Sequence, residues 1–270
     1  MTINTDILSI IERSTPLWAA EAEIVRTYWD APIRTVETDR LWLLRQMYKE
    51  LWDGFYPSFK WLGENFQGLE SSCKSLEMFE EIQVMLEEFA HYRGFATVYA
   101  ACAAASSSTN SAIPDPQGLK QRGQWAENVE LMALRARHLQ EHGFLGKRAH
   151  RFTEGGYCTL YAEGMKLTAR GGVDNLIAQA CSQVYEDEFE HMLRGISDIA
   201  HEGTRLSGRD WTLLSDLIVE QLVHRLWMRN AQFSFPVDEP RMKALAAGKC
   251  EPLEFDFERA FGVSWNTSDG

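Results

Sequence analysis

Apolar residues recur at helical spacing along most of this chain, and no stretch alternates apolar and polar residues as a half-buried strand would. The pattern is clearest between about residues 37 and 62, where apolar residues fall three or four positions apart. They are Leu41, Leu44, Tyr48, Leu51, Phe55 and Phe59. Helical spacing without a strand signal predicts an all-α fold.

Turn-forming residues divide the chain into predicted helices. Ser14-Thr15-Pro16 predicts the start of a first helix that ends near Trp29, because proline is favoured at the first helical position and a preceding hydroxyl can cap free amides. Arg170-Gly171-Gly172 predicts a helix end, and Asp210 predicts the cap of the last long helix. The predicted helices span 14–29, 37–62 (helix A), 76–105 (helix B), 118–142, 145–169 (helix C), 173–201 (helix D) and 210–232.

A chain of 270 residues is compatible with a single domain, so we expect one helical domain over 1–270. Helices A to D would form its core bundle, at about 37–201. The N-terminal helix and the final long helix, 210–232, are predicted to be accessory elements at the two ends. The tail after residue 237 is predicted to form loops and short helices that pack on the bundle.

Helices B and D carry the same short motif, an acid followed by Glu-Phe-x-His. The two copies are Glu87-Glu88-Phe89-Ala90-His91 and Asp187-Glu188-Phe189-Glu190-His191. Residues three apart share a helix face, so each copy presents one carboxylate and one imidazole in the same direction. Two such helices, with one carboxylate from each of two others, form the ligand set of dinuclear metal sites inside four-helix bundles.

The spacing between helices C and D indicates which acid of helix C is a ligand. If the two helices form an antiparallel hairpin around Gly171-Gly172, residues at equal distances from the turn lie side by side. Glu154 and Glu188 meet this condition. Glu163 is closer to the turn, and at about 1.5 Å per residue it would lie about 12 Å away along the bundle. We therefore expect Glu154 to be the ligand, and Glu163 to be solvated or to support the site.

The same comparison for helices A and B is looser, because their linker is longer. Its midpoint, near Leu69, places Glu50 level with Glu88. Glu50 is therefore the predicted ligand on helix A. Asp53, one turn further along, is the alternative.

The predicted metal-binding and catalytic set comprises Glu50, Glu88, His91, Glu154, Glu188 and His191. Its four carboxylates balance two divalent cations, which removes most of the cost of burying charge in a bundle. Mixed oxygen and nitrogen ligands suit iron or manganese better than a closed zinc site. The competing interpretation is an ordinary helical core with acids paired to histidines, in which the four buried carboxylates would be unfavourable.

Neighbours of these ligands are candidates for supporting roles. His150, one turn before Glu154, is a further ligand, a supporting residue, or a capping or surface residue. Cys158 either faces the metals or is simply buried. Aromatic residues within a turn of the ligands are candidate pocket walls, although core packing is the commoner role for such residues. These aromatic residues are Trp52, Tyr92, Phe95, Tyr157, Tyr161 and Tyr185.

The composition of the chain excludes some classes of binding partner. A net charge of −12 and a pI near 5.1 argue against nucleic acid or an anionic membrane surface. The five cysteines form no Cys-x-x-Cys pair, and no segment is long and apolar enough to span a membrane. Met1 to Ile10 lacks the basic segment and apolar core that a signal peptide would have. We expect a cytoplasmic protein that acts on small molecules.

These motifs resemble those of the ferritin-like di-iron carboxylate superfamily, whose ligands follow the order Glu or Asp, Glu-x-x-His, Glu, Glu-x-x-His. The stretch Thr153-Glu154-Gly155-Gly156-Tyr157 looks like the glutamate-glycine-aromatic segment of the ribonucleotide reductase small subunit, and 187–191 is similar to its last ligand helix. The resemblance implies a ferritin-like four-helix bundle. Phe95 stands where radical-storing small subunits have tyrosine, so tyrosyl-radical storage is not implied.

The resemblance also implies a function. Family members activate O2 at a reduced metal pair, so we expect a non-haem O2-dependent oxygenase or oxidase that acts on a small organic substrate. Its cofactor would be two iron ions, or one manganese and one iron. The alternative is a non-catalytic helical protein that carries metal or binds a partner. A second copy of the chain and an external electron donor are candidate partners.

The densest basic segment, 119–151, is the predicted docking surface for that donor. Small iron–sulfur donors are commonly acidic, and a protein of net charge −12 would repel them without a local basic surface. An ordinary solvated helix face is the alternative. The basic residues of the segment are Lys120, Arg122, Arg135, Arg137, Lys147, Arg148 and Arg151.

Overall fold

The computed structural model describes residues 4–68, 72–106, 112–202 and 205–261, and every regular element in those ranges is helical. The all-α prediction is confirmed for this part of the chain. The α-helices are α1 (Thr5–Trp29), α2 (Val36–Tyr48), α3 (Tyr56–Asn65), α4 (Ser72–Ala105), α5 (Pro116–Gly123), α6 (Ala126–His142), α7 (Phe144–Thr153), α8 (Thr159–Met165), α9 (Gly172–Glu202), α10 (Gly208–Gln232), α11 (Glu239–Ala246) and α12 (Phe257–Phe261). None of the helices in the described ranges is long and apolar enough to cross a membrane.

Helix α1 begins earlier than predicted. Its N-cap is Asn4, whose side chain accepts a hydrogen bond from a first-turn amide, and Pro16 lies inside the helix. Proline has no N–H to donate to the carbonyl of Glu12, four residues back. The Thr15 hydroxyl donates to that carbonyl instead, at 3.2 Å. The predicted start at this proline is therefore wrong, whereas the predicted end at Trp29 is confirmed.

Helices α1 and α10 belong to the core, which differs from the prediction that they are accessory. They pack against each other, and α10 also contacts α6 and α7. Glu21 of α1 is 1% exposed and accepts hydrogen bonds from Arg225 Nε at 3.0 Å and Arg229 Nε at 2.8 Å. The Glu21 carboxylate is shared by the two guanidiniums inside the protein, so these charged residues of α1 and α10 do not mark a solvated face.

Predicted helix C is two helices separated by an irregular turn. Glu154, directly after α7, has an extended backbone with φ −62° and ψ 135°. The four residues from Gly155 to Cys158 then have φ between +53° and +74°. Glycine adopts such a backbone without strain, but Tyr157 does so only at a cost. A continuous helix over 145–169 is therefore a wrong prediction, because the two glycines let the chain leave the helix.

Helix α10 begins close to the predicted position. Ser207, rather than Asp210, is its N-cap: the Ser207 hydroxyl accepts a hydrogen bond from the Asp210 amide at 3.3 Å. In return, the Asp210 carboxylate accepts a hydrogen bond from the Ser207 amide at 2.9 Å. This reciprocal pair is a capping box, which places the acid three residues after the cap.

Three parts of the fold bring the motif residues together. Helices α4 and α9, which correspond to helices B and D, pack against each other. Helix α2 continues into a π-helical segment (Lys49–Phe55) and then into α3, and this run packs along α4. The turn between α7 and α8 lies against α9. The specific ferritin-like arrangement of these helices stays a prediction.

Candidate metal centre

The π-helical segment positions the first carboxylate. Segments of this kind are rare and are often found at functional sites. Glu50 lies in its first turn and is 4% exposed. Its Oε1 accepts a hydrogen bond from Gln46 Nε2 at 2.5 Å and one from the Tyr161 hydroxyl at 3.3 Å. These two donors fix the Glu50 carboxylate beside α4 and α9.

Helices α4 and α9 contribute three more potential ligands. Glu88 and His91 lie on α4 and Glu188 lies on α9. One ligand atom from each of these residues and one from Glu50 all lie within 4.8 Å of one another. Glu88 is half-buried and the other three are buried. This group could hold a metal ion.

One ring nitrogen of His91 has no hydrogen-bond partner in the part of the chain that the structure describes. Nε2 lies 3.1 Å from Asp187 Oδ2, and because a carboxylate only accepts, we assign the ring proton to Nε2. Nδ1 then carries a lone pair. It is buried, lies 3.9 Å from Glu50 Oε2 and has no hydrogen-bond partner among the described residues. A buried unsatisfied nitrogen is unfavourable, and a metal ion in the group would satisfy it, so the residues present fit a metal ion.

The two motif histidines pair crosswise with the acids that precede the glutamates. Asp187 of α9 binds His91 of α4, and Glu87 of α4 lies 3.2 Å from Nε2 of His191 on α9. Carboxylates in this role orient metal-binding imidazoles. In the described part of the chain, however, His191 is outside both the group of four and the wall of the adjacent cavity. Of the two predicted histidines, the structure thus places His91 in the group and His191 outside it.

The group borders a cavity of about 110 Å³. Glu154 lies in its wall, so the four predicted carboxylates share one cavity even though Glu154 is on a turn rather than a helix. All the lining residues are buried or half-buried. They are Lys49, Glu50, Asp53, Gly54, Glu88, Asn128, Leu131, Met132, Arg135, His150, Glu154, Gly155, Tyr161, Glu188 and Arg225.

Two of the alternative ligands also reach this cavity. Asp53 and His150 both line it. Burial lowers the pKa of His150 to about 4, so its imidazole is neutral at neutral pH and able to bind a cation. Glu163 is engaged elsewhere, because its Oε1 lies 2.8 Å from both Arg26 and Lys166. Its role is to pair with these cations.

Of the six aromatic residues predicted as pocket walls, Tyr161 lines the cavity and the other five do not. Phe95 is fully buried and packs edge-on against Trp42. Tyr157 is part of an aromatic stack beneath the turn. Cys158 is buried outside the cavity wall, and burial raises its pKa well above the usual value, so it remains a thiol.

The clustered acids repel one another when no cation lies between them. Burial raises the pKa of Glu88 well above its usual value, and the charges of Glu50 and Glu188 raise it further. Burial and Glu50 also raise the pKa of Glu188, with His91 acting in the opposite direction. A divalent cation would favour the ionised carboxylates and remove this repulsion.

Three cations in the cavity wall are absent from the predicted site: Lys49, Arg135 and Arg225. Burial lowers the pKa of Lys49 to about 8 and that of Arg135 to about 10. Arg135 is 9% exposed, so its assignment to a donor-docking surface is wrong. Asn128, Arg135 and His138 recur at helical spacing on the buried face of α6, which is the sequence signal that could have placed Arg135 inside.

Comparisons with protein families, curated proteins and solved structures found no match. The resemblance to the ferritin-like superfamily therefore stays a prediction.

Proposed function

We propose that this protein is a non-haem dinuclear-metal oxidoreductase that uses O2 to oxidise a small organic substrate. The observation that supports it most is the buried group of Glu50, Glu88, His91 and Glu188, in which His91 Nδ1 lacks a partner among the described residues. Several carboxylates are rarely buried together without a cation to balance them. Oxygen and nitrogen ligands of this kind suit iron and manganese, which in their reduced states can react with O2.

The cavity offers ligands for two ions. The group of four would hold the first ion, and Glu154 with His150, both in the cavity wall, would complete the second position; His191, which lies outside that wall, would have to turn away from Glu87 to do so. We propose two iron ions, or one manganese and one iron. Bound in the reduced state, the ions would supply the electrons that reduce O2.

The protein's own residues orient the ligands. Gln46 and Tyr161 hold the Glu50 carboxylate, and Asp187 fixes the ring of His91 with Nδ1 directed at the group. The buried and half-buried wall limits the contact of the ligands with bulk water, which strengthens electrostatic interactions inside the cavity.

Oxygen uptake tests the proposal. Protein loaded with Fe(II) under anaerobic conditions should consume O2 rapidly when mixed with oxygenated buffer, and Glu88→Gln should abolish this uptake because it removes a ligand from the group. Glu163→Gln is the matched control, since Glu163 is a buried acid paired away from the cavity, and it should behave as wild type. Loaded wild-type protein that consumes no O2 would refute the proposal.

Repeated turnover separates an oxidase from a metal carrier, because a carrier can also oxidise its iron once. With a chemical reductant present, the wild type should consume many equivalents of O2 per chain. Uptake that stops after the bound iron is oxidised would favour the carrier.

A further inference from the structure

Arg135 is held at the cavity wall with part of its guanidinium free. One terminal nitrogen donates hydrogen bonds to the carbonyl and the hydroxyl of Thr153, both at 3.2 Å. The Thr153 hydroxyl in turn donates to Gln221 at 2.7 Å, so α7 and α10 fix the arginine in place. Its Nε is buried and has no hydrogen-bond partner among the described residues. A buried N–H without an acceptor is unfavourable and points to a missing partner.

Asn128, two turns earlier on the same face of α6, has a buried acceptor where Arg135 has a buried donor. It is 1% exposed and lines the cavity. Its Nδ2 donates to Asp53 Oδ2 at 2.8 Å, and because an ionised carboxylate only accepts, this bond fixes the orientation of the amide. The other atom, Oδ1, is a buried acceptor with no donor among the described residues.

Once two divalent ions are bound, the positive charge of the Arg135 guanidinium has no counter-ion in the cavity wall. Arg225 shares the Glu21 carboxylate with Arg229, and Asp53 offsets Lys49 in the same wall. The four ligand carboxylates would neutralise two divalent ions. No carboxylate in the described ranges lies within 4.0 Å of Arg135, whose positive charge remains.

We propose that Arg135 and Asn128 bind the substrate, and that the substrate is a small carboxylic acid that also carries a hydrogen-bond donor such as a hydroxyl or amino group. The substrate carboxylate would accept a hydrogen bond from Arg135 Nε, and the substrate hydroxyl or amino group would donate one to Asn128 Oδ1. This assignment rests on the proposed function, because without the metal ions the wall is anionic and repels a carboxylate. The cavity volume of about 110 Å³ is below the roughly 300 Å³ of common ligand pockets, which favours a molecule of few atoms.

Binding to redox-inert, Zn(II)-loaded protein tests the assignment apart from turnover. The probes are propionate, 3-hydroxypropionate and the neutral propanamide, titrated by calorimetry after zinc content has been measured. Arg135→Gln should weaken both acids about tenfold or more, because it removes a charge-assisted hydrogen bond. Asn128→Leu should remove the preference for the hydroxy acid and leave propionate unchanged. Arg137→Gln, on the exposed side of α6, is the control and should change nothing.

Each outcome is decisive. Equal acid affinities in wild type and Arg135→Gln, at full zinc content, would overturn the substrate assignment and leave the metal centre standing. Wild-type protein that takes up no zinc would instead refute the proposed function together with this inference. If Arg135→Gln does not fold, Asn128→Leu decides, since an unchanged preference for the hydroxy acid in that variant would overturn the assignment.

Discussion

His91 depends on a residue of another helix for its orientation. Asp187 accepts the hydrogen bond from Nε2 and so directs Nδ1 at the carboxylate group. Removal of such a partner typically weakens metal binding 10- to 100-fold. We expect Asp187→Ala to lower Fe(II) affinity by about this factor, measured by competition with a chelator. Glu190→Ala, an exposed acid on the same helix, should leave the affinity unchanged, and equal losses in both variants would contradict the role of Asp187.

Local spacing explains which site residues could be predicted. The i,i+3 relation within each motif depends only on helix geometry, so the faces carrying Glu88 and Glu188 follow directly from the sequence. The crosswise pairing of His91 with Asp187 depends on the register between α4 and α9, which no local pattern specifies. The position of His191 outside the group depends on the same register. These two features therefore could not be predicted from the sequence.

The π-helical segment lies so close to α4 that its residue 54 has no room for a side chain. A Cβ at Gly54 would lie 2.2 Å from Glu88 Oε2. That atom is the end of a flexible side chain, so Gly54→Ala should displace the Glu88 carboxylate and weaken metal binding while leaving the free energy of unfolding nearly unchanged. Gly63→Ala in α3 has open space around it and serves as the control. Wild-type metal affinity in Gly54→Ala would contradict this packing.

Helix periodicity predicts elements better than it predicts interruptions. The helices on either side of Glu154 were recognisable, but the left-handed turn between them depends on contacts that the pattern does not contain. At Gly156 a Cβ would lie 2.0 Å from Arg225 Nε and 2.4 Å from Glu21 Oε2, so the turn is built against the buried ion pair of α1 and α10. The burial of Arg135 could not be predicted from the helical pattern either, because cations on helices are usually solvated.

Across the whole molecule, one buried charge cluster joins the first helix to the last long one. Glu21 is paired with Arg225 and Arg229, and all three side chains are nearly inaccessible. Burial alone would raise the pKa of Glu21, but the two guanidiniums outweigh burial and lower it. Glu21→Gln leaves two buried cations without a counter-ion and should cost about 3–5 kcal/mol in the free energy of unfolding, measured with urea.

An exposed ion pair between the same two helices provides the comparison. Asp216 of α10 binds Arg13 of α1 where both side chains are accessible to solvent. Asp216→Asn should therefore cost no more than about 1 kcal/mol. Similar losses for this variant and for Glu21→Gln would contradict the central role of the buried cluster.

The acid cluster also makes the stability of the metal-free protein depend on pH. The pKa of Glu88 is raised above its usual 4.5 in the folded state, so folding binds protons there and the free energy of unfolding falls as pH rises from about 4.5 through the folded pKa. We expect Glu88→Gln to flatten this fall in thermal unfolding profiles of metal-free protein, and divalent metal to remove it in the wild type. A metal-free profile unchanged by Glu88→Gln would contradict the burial of an ionisable cluster.

Metal stoichiometry after anaerobic Fe(II) titration tests the proposed dinuclear centre most directly, because it examines the cavity without any assumption about substrate. We expect two ions per chain in the wild type and in Glu163→Gln, and fewer than one in Glu88→Gln and Glu188→Gln, with helical content retained in all four proteins. Wild-type protein that binds no divalent ion, or the same two ions in the Glu88 and Glu188 variants as in the wild type, would contradict the proposed centre.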